Sequence, residues 1–226
     1  MPNWPWTWTS PASWRSLSRN WPGEHSRWPA AASRLAGRGK GRVDTETRIG
    51  SAKGIERLLL RDEAASARLA GWLQRSGLRP VAWAIAHSGD SVLWFLAGLA
   101  AFFLGSSEVR RAGAVVAVLV PVLAVLAFGL KALFRRARPP GERGTLYVHF
   151  DVHAFPSSHA VRMGGLAAAL AFLAPPWAIG VLVLWAVLVS LARVGLGIHY
   201  LLDVSVGLVL GAVLGGLLGQ IVLHLV

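Results

Sequence analysis

The chain has 226 residues, 54% of them apolar and only 15% charged, with a formal net charge of +12 and no cysteine. Ordinary soluble domains carry about 45–50% apolar and about 25% charged residues, so this composition points to a membrane class. The missing cysteines exclude disulfide and thiol chemistry. A positive balance alone would suit nucleic acid, but no nucleic-acid module or basic helix with interleaved base-reading residues accompanies it. Basic segments beside anionic lipid headgroups account for it better, and nucleic acid is not an expected partner.

Residues 1–50 are rich in Trp, Ser, Pro, Gly and Arg and show no helical or strand period. Trp4, Trp6, Trp8, Trp14, Trp21 and Trp28 are too scattered to build a core, and no apolar run is long enough for a signal peptide. This stretch is predicted to be a disordered tail, with a membrane-embedded domain over 51–226. From 52 to 76, Ile55, Leu58, Leu59, Leu69, Trp72 and Leu73 recur at helical spacing with Arg57, Arg61, Arg68 and Arg75 largely between them. That pattern predicts an amphipathic helix lying in the membrane interface.

Five long apolar segments follow, over approximately 84–105, 109–133, 159–175, 177–197 and 203–225. Each approaches the ~20 residues that a helix needs to cross ~30 Å of hydrocarbon. The predicted fold is all-α: an integral membrane bundle of about five transmembrane helices preceded by the interfacial one. Pro121 is expected to kink the second segment, which neighbouring helices tolerate. Gly207, Gly211, Gly215 and Gly219 recur every four residues and predict a face for close helix packing, with no catalytic meaning.

Ionisable groups beside membrane helices are costly and usually functional. Lys131, Arg135, Arg136 and Arg138 close the second segment, Ser157, Ser158, His159 and Arg162 open the third, Arg193 ends the fourth, and His199 and Asp203 introduce the fifth. Consecutive crossings bring these three clusters to one membrane face. Fixed cations, hydroxyls and a helix start make an anion site. One carboxylate among so many cations is too few for a Mg²⁺ or Ca²⁺ cage, and the cations would repel zinc, so no metal is expected. His199 and Asp203 are one helical turn apart, so Asp203 is placed to accept the Nδ1–H of His199 and leave Nε2 as a nucleophile. His159 has no acidic neighbour in sequence and is placed to act as general acid.

The stretches Lys131-Ala-Leu-Phe-Arg-Arg-Ala-Arg138-Pro139, Pro156-Ser-Ser-His159 and Arg193-Val-Gly-Leu-Gly-Ile-His199-Tyr-Leu-Leu-Asp203 resemble the three signatures of the type 2 phosphatidic acid phosphatase superfamily. Those signatures are Lys-x6-Arg-Pro, Pro-Ser-Gly-His and Ser-Arg-x5-His-x3-Asp. The resemblance covers roughly residues 65–226, and it departs where Ser158 stands for Gly and Ala192 for Ser. It implies a metal-independent, cofactor-free phosphatase acting on a lipid phosphate. Lys131, Arg138, Arg193, Ser157 and the amides of Ser158 and His159 would hold the phosphate. His199 would attack phosphorus to give a phosphohistidine, His159 would protonate the leaving oxygen, and Asp203 would orient His199.

Arg135, Arg136 and Arg143 are expected to contact headgroups, and His87 and Asp90 to hydrogen-bond locally. His149, Asp151 and His153 lie in the loop over the site. The competing functions are a vanadate-dependent haloperoxidase, which the membrane runs oppose, and a non-catalytic lipid-binding scaffold. The expected location is the cell membrane, multi-pass. Arg110 and Arg111 favour a cytoplasmic loop between the first two segments and so an outward-facing site, the basic tail argues the reverse, and the family resemblance tips the expectation toward the outer face.

Overall fold

In the computed structural model, residues 43–139 and 151–225 are described, with side chains from residue 54 onward. The expectations placed on residues 1–42, Arg143 and His149 lie outside them. The described residues form seven helices and no strand: α1 (Val43–Arg75), α2 (Arg79–Ser88), α3 (Ser91–Leu104), α4 (Ser107–Phe134), α5 (Ser158–Leu170), α6 (Pro176–Gly195) and α7 (Leu201–Leu225).

The glycines of α7 face inward, while the large apolar side chains Phe103, Val125, Trp177, Val209 and Leu217 are exposed. Hydrocarbon around a bundle allows that arrangement, since lipid tails are as apolar as Leu and association relies on close packing. Three helices, α4, α6 and α7, are long and apolar enough to cross a membrane. The α2–α3 pair, bent by 50° at its break, passes the same test as one broken span. The expected crossing at 159–175 is represented by α5, whose 13 residues extend about 20 Å at 1.5 Å per residue. It lies at the centre of the bundle with every residue but Ala168 buried.

α4 supplies Val115, Leu119 and Leu123 to a core that also holds Val161, Leu166 and Leu170 of α5. Pro121 leaves α4 unbroken from Ser107 to Phe134, and the helix stops where Arg135 turns left-handed at φ 50°. The four-residue glycine repeat of α7 packs against α5. A Cβ at Gly207 would meet Ala160 Cβ at 2.9 Å, and one at Gly219 would meet Ala169 Cβ at 2.6 Å. At Gly211 and Gly215 the obstacle is the backbone of Val161 and Gly165. Glycine is what lets the two helices touch.

α1 begins at Val43, so it takes in residues 43–50, which composition had assigned to the tail. Ile55, Leu58 and Trp72 remain exposed along α1. Its other side is docked on the bundle. Leu73 packs beside Gly195 of α6. Ser66 Oγ accepts the Leu201 amide at 2.9 Å, and Asp62 Oδ1 accepts the Leu202 amide at 2.8 Å. Two of the first-turn amides of α7, which have no partner within their own helix, are thus capped from α1.

Candidate active site

The end of α4, the start of α5 and the α6–α7 turn converge at one end of the bundle. Lys131, Arg138, Ser157, Ser158, His159, Arg193, His199 and Asp203 all lie there, each less than a tenth exposed. The α5 start is anchored by its backbone, because the Ser157 amide donates to the Asp203 carbonyl at 3.1 Å. Ser157 occupies the N-cap position without a side-chain cap. Its Oγ and that of Ser158 are buried with no hydrogen-bond partner among the described residues. Buried hydroxyls of this kind are costly unless something bonds them, and an oxyanion at the α5 N-terminus would do so.

The cations are arranged around a carboxylate. Lys131 Nζ lies 2.5 Å from Asp151 Oδ1, and Arg138 Nη2 lies 2.7 Å from Asp151 Oδ2. Burial raises the Asp151 carboxyl, but Lys131 and Arg138 outweigh it and hold the group below its ordinary range. Two of the residues to which the resemblance gives the phosphate are therefore bridged by an anion of this chain's own loop.

His199 is 1% exposed. Burial first, then Arg138, Arg193 and Lys131, hold its imidazole well below the ordinary histidine range, so it is neutral. Its Nε2 lies 3.3 Å from Arg138 Nη1. Arginine only donates, so Nε2 accepts and the ring proton sits on Nδ1. That proton points toward Asp203 Oδ2 at 3.6 Å, too far for the direct hydrogen bond expected from the sequence. The carboxylate is engaged elsewhere. Its Oδ2 accepts the Tyr200 amide at 2.9 Å, and its Oδ1 accepts Arg136 Nη1 at 2.7 Å.

Arg136 is not at the headgroups. It is 7% exposed, donates from Nη2 to Asp62 Oδ2 at 2.7 Å, and lies 4.2 Å over the Tyr200 ring. Two carboxylates from α1 and α7 outbid solvent for it. Arg135, by contrast, is exposed. Arg162 donates from Nη2 to the Gly89 carbonyl at 2.7 Å.

His159 Nε2 lies 2.7 Å from Asp90 Oδ1 and 3.3 Å from Arg193 Nη1. The expected local pairing of Asp90 is present, with His87 Nδ1 at 3.0 Å from Oδ2. The acidic partner of His159 was not found in the sequence because it stands 69 residues away; the single signal was the isolated His87-Ser-Gly-Asp90 stretch inside an apolar segment. Among the described residues, no group of three or more His, Cys, Asp or Glu side chains is placed to hold a metal ion.

Residues 110–225 match the model of the PAP2 superfamily. The chain is also similar to the solved transmembrane PAP2 type phosphatidylglycerolphosphate phosphatase from Bacillus subtilis. That similarity has 26% identity and a TM-score of 0.58 over 73% of this chain and 85% of the other. A second similarity in fold is to Aquifex aeolicus LpxE, with 22% identity and a TM-score of 0.53 over 68% of this chain and 93% of the other.

Proposed function

The chain belongs to the PAP2 superfamily, and from that premise we propose that this membrane phosphatase hydrolyses a phosphomonoester or diphosphate of a lipid through a phosphohistidine. One observation carries the reading: a neutral, buried His199 with its Nε2 lone pair directed at Arg138, within a cradle of Lys131, Arg138, Arg193 and two unbonded serine hydroxyls. Substrates of this class carry their tails in the bilayer and present phosphate at its rim. Prenyl phosphates and diphosphates, phosphatidic acid and phosphatidylglycerol phosphate all have that form.

The chemistry runs in two displacements. His199 Nε2 attacks phosphorus, the bond from phosphorus to the lipid oxygen breaks, and protonated His159 gives its Nε2 proton to the departing oxygen. Water then attacks the phosphohistidine, His159 takes a proton from it, and inorganic phosphate leaves. Fixed cations and the α5 amides stabilise the charge that spreads over the equatorial oxygens. Asp203 stabilises the positive ring from 3.6 Å while Arg136 and the Tyr200 amide fix its position.

Purified protein should release phosphate from at least one of these lipids without added metal, and labelled phosphate should be trapped on the wild type but not on His199→Ala. Absence of release across the whole panel would overturn the proposal. We also propose that the site faces outward, because Arg110 and Arg111 lie in the opening turn of α4, at the end away from the site. The α7 helix starts at the site, so a carboxy-terminal reporter should then report a cytoplasmic terminus; an external one reverses the assignment.

A further inference from the structure

The α2–α3 break is where the bundle spends a polar turn inside an apolar segment. Asp90 occupies the N-cap position of α3, yet its side chain makes no cap hydrogen bond. Its carboxylate is turned to His159 at 2.7 Å and to His87 at 3.0 Å. The turn is fixed to α5 at a second point, where Arg162 Nη2 donates to the Gly89 carbonyl at 2.7 Å. Gly89 itself permits the approach: a Cβ there would meet Val189 at 2.8 Å and the His159 ring at 3.4 Å. A helix start has forgone its own cap in order to place a carboxylate on a histidine of the neighbouring helix.

Donor and acceptor rules then distinguish the two histidines. A carboxylate only accepts, so His159 Nε2 carries a proton. An arginine only donates, so His199 Nε2 carries a lone pair. The same ring nitrogen is a donor on one histidine and an acceptor on the other, as an acid and a nucleophile require. His159 Nε2 also lies 3.3 Å from Arg193 Nη1, a donor that competes for the same nitrogen, and the shorter 2.7 Å contact with the Asp90 carboxylate decides in favour of the proton. Burial and the Arg193 charge disfavour the imidazolium, and the Asp90 carboxylate is what opposes them.

We propose that Asp90 is a positioning residue for His159: it orients the ring and keeps the proton on Nε2 until substrate occupies the cradle, when His159 gives that proton to the leaving lipid oxygen. The assignment rests on the phosphatase reading above and adds to it a residue that lies outside the 110–225 family match.

Proton donation matters most when the leaving oxygen is a poor leaving group. The test therefore compares two phosphate esters with the same hydrocarbon tail, one an alkyl phosphate and one a nitrophenyl phosphate, on the purified full chain. Asp90→Asn should lower kcat on the alkyl ester by about 10²-fold, the lower end of what acid catalysis contributes. On the nitrophenyl ester the loss should stay within about 3-fold, with KM for both esters little changed. Asp90→Glu, which keeps the carboxylate, should recover part of the alkyl activity, and His159→Ala should show the same ester selectivity as Asp90→Asn. An equal loss on both esters would mean that Asp90 only supports the fold, and would overturn the inference. Should the Asn chain fail to accumulate, Asp90→Glu answers through the same ratio: a changed alkyl-to-aryl ratio supports the role, and a lower kcat at constant ratio overturns it. Wild type that cleaves neither ester would bring down the phosphatase reading itself. Wild type active on both, with selectivity lost in His159→Ala but not in Asp90→Asn, removes this inference alone.

Discussion

Replacing Gly211 by alanine tests whether the α5–α7 contact sets the geometry of the site. The added Cβ would stand 2.0 Å from the Val161 carbonyl oxygen and 2.8 Å from its Cα. An ordinary contact lies near ~3.5 Å, and a backbone obstacle cannot rotate away as a side chain would. The two helices must therefore separate by something on the order of 1 Å. Overpacking of this kind costs about 1–3 kcal/mol. The displacement also falls close to the chemistry, because Val161 is two residues from His159 and α7 carries Asp203 in its first turn. Misplacing a catalytic group by ~1 Å costs about 10²-fold in rate. Gly216→Ala is the control on the same helix, since its Cβ would meet only Ala168 Cβ at 4.0 Å. Alanine there should leave the rate unchanged and stabilise the helix by up to ~1 kcal/mol. The assay is Tm in detergent beside the initial rate of phosphate release for both variants. Gly211→Ala with wild-type Tm and wild-type rate would refute the argument.

The depressed proton affinity of His199, caused by burial and then by Arg138 and Arg193, sets the acid side of the pH profile. Protonation removes the attacking lone pair, and a lowered pKa moves that loss to lower pH. The His199 limb of kcat/KM should therefore fall below the ordinary ~6.5, and an inflection at or above 6.5 that tracks His199 would contradict it. Arg136→Met leaves Asp62 and Asp203 as buried carboxylates without their cation; breaking such a pair costs about 3–5 kcal/mol. Tm should drop accordingly, and Asp62→Asn combined with Arg136→Met should be less than additive. Asp151→Asn removes the carboxylate that bridges Lys131 and Arg138. Inorganic phosphate no longer has to displace it, and its inhibition constant should fall about tenfold, the scale of one charge-assisted bond. A constant that stays the same or rises would show that Asp151 does not compete for those cations.

The helical class, the amphipathic α1 and the glycine face of α7 were legible because each is written as a local period. Three clusters at one bundle end followed from counting crossings. What could not be read was pairing across distance. Asp90 meets His159 over 69 residues, and Asp62 meets Arg136 over 74. Hydropathy periods carry no information on such partners. Arg136 shows the failure most clearly. As one of three arginines in a row of basic residues it reads as a headgroup contact, and only the approach of α1 and α7 makes it a buried clamp. The Asp203–His199 bond was inferred from a four-residue spacing that is correct for a helix. His199, however, lies before the first residue of α7, and the carboxylate turns back to the Tyr200 amide instead.

The distribution of charge explains why the region outside the family match is needed. Lys131, Arg136, Arg138, Arg162 and Arg193 are five buried cations, all within residues 110–225. Buried charges persist only when they are paired or hydrogen-bonded. Within that region the described carboxylates that meet them are Asp151 and Asp203. The rest of the counterbalance arrives from earlier in the chain: Asp62 from α1 onto Arg136, the Gly89 carbonyl onto Arg162, and Asp90 onto His159 beside Arg193. The site is over-supplied with positive charge. The helices before residue 110 therefore do more than fill the bundle: their acceptors let the cations stay buried and fixed, and the phosphate we propose as the site's ligand would meet charges already in place. Fixed charges are what make electrostatic stabilisation effective, because they need not reorganise when the transition state forms.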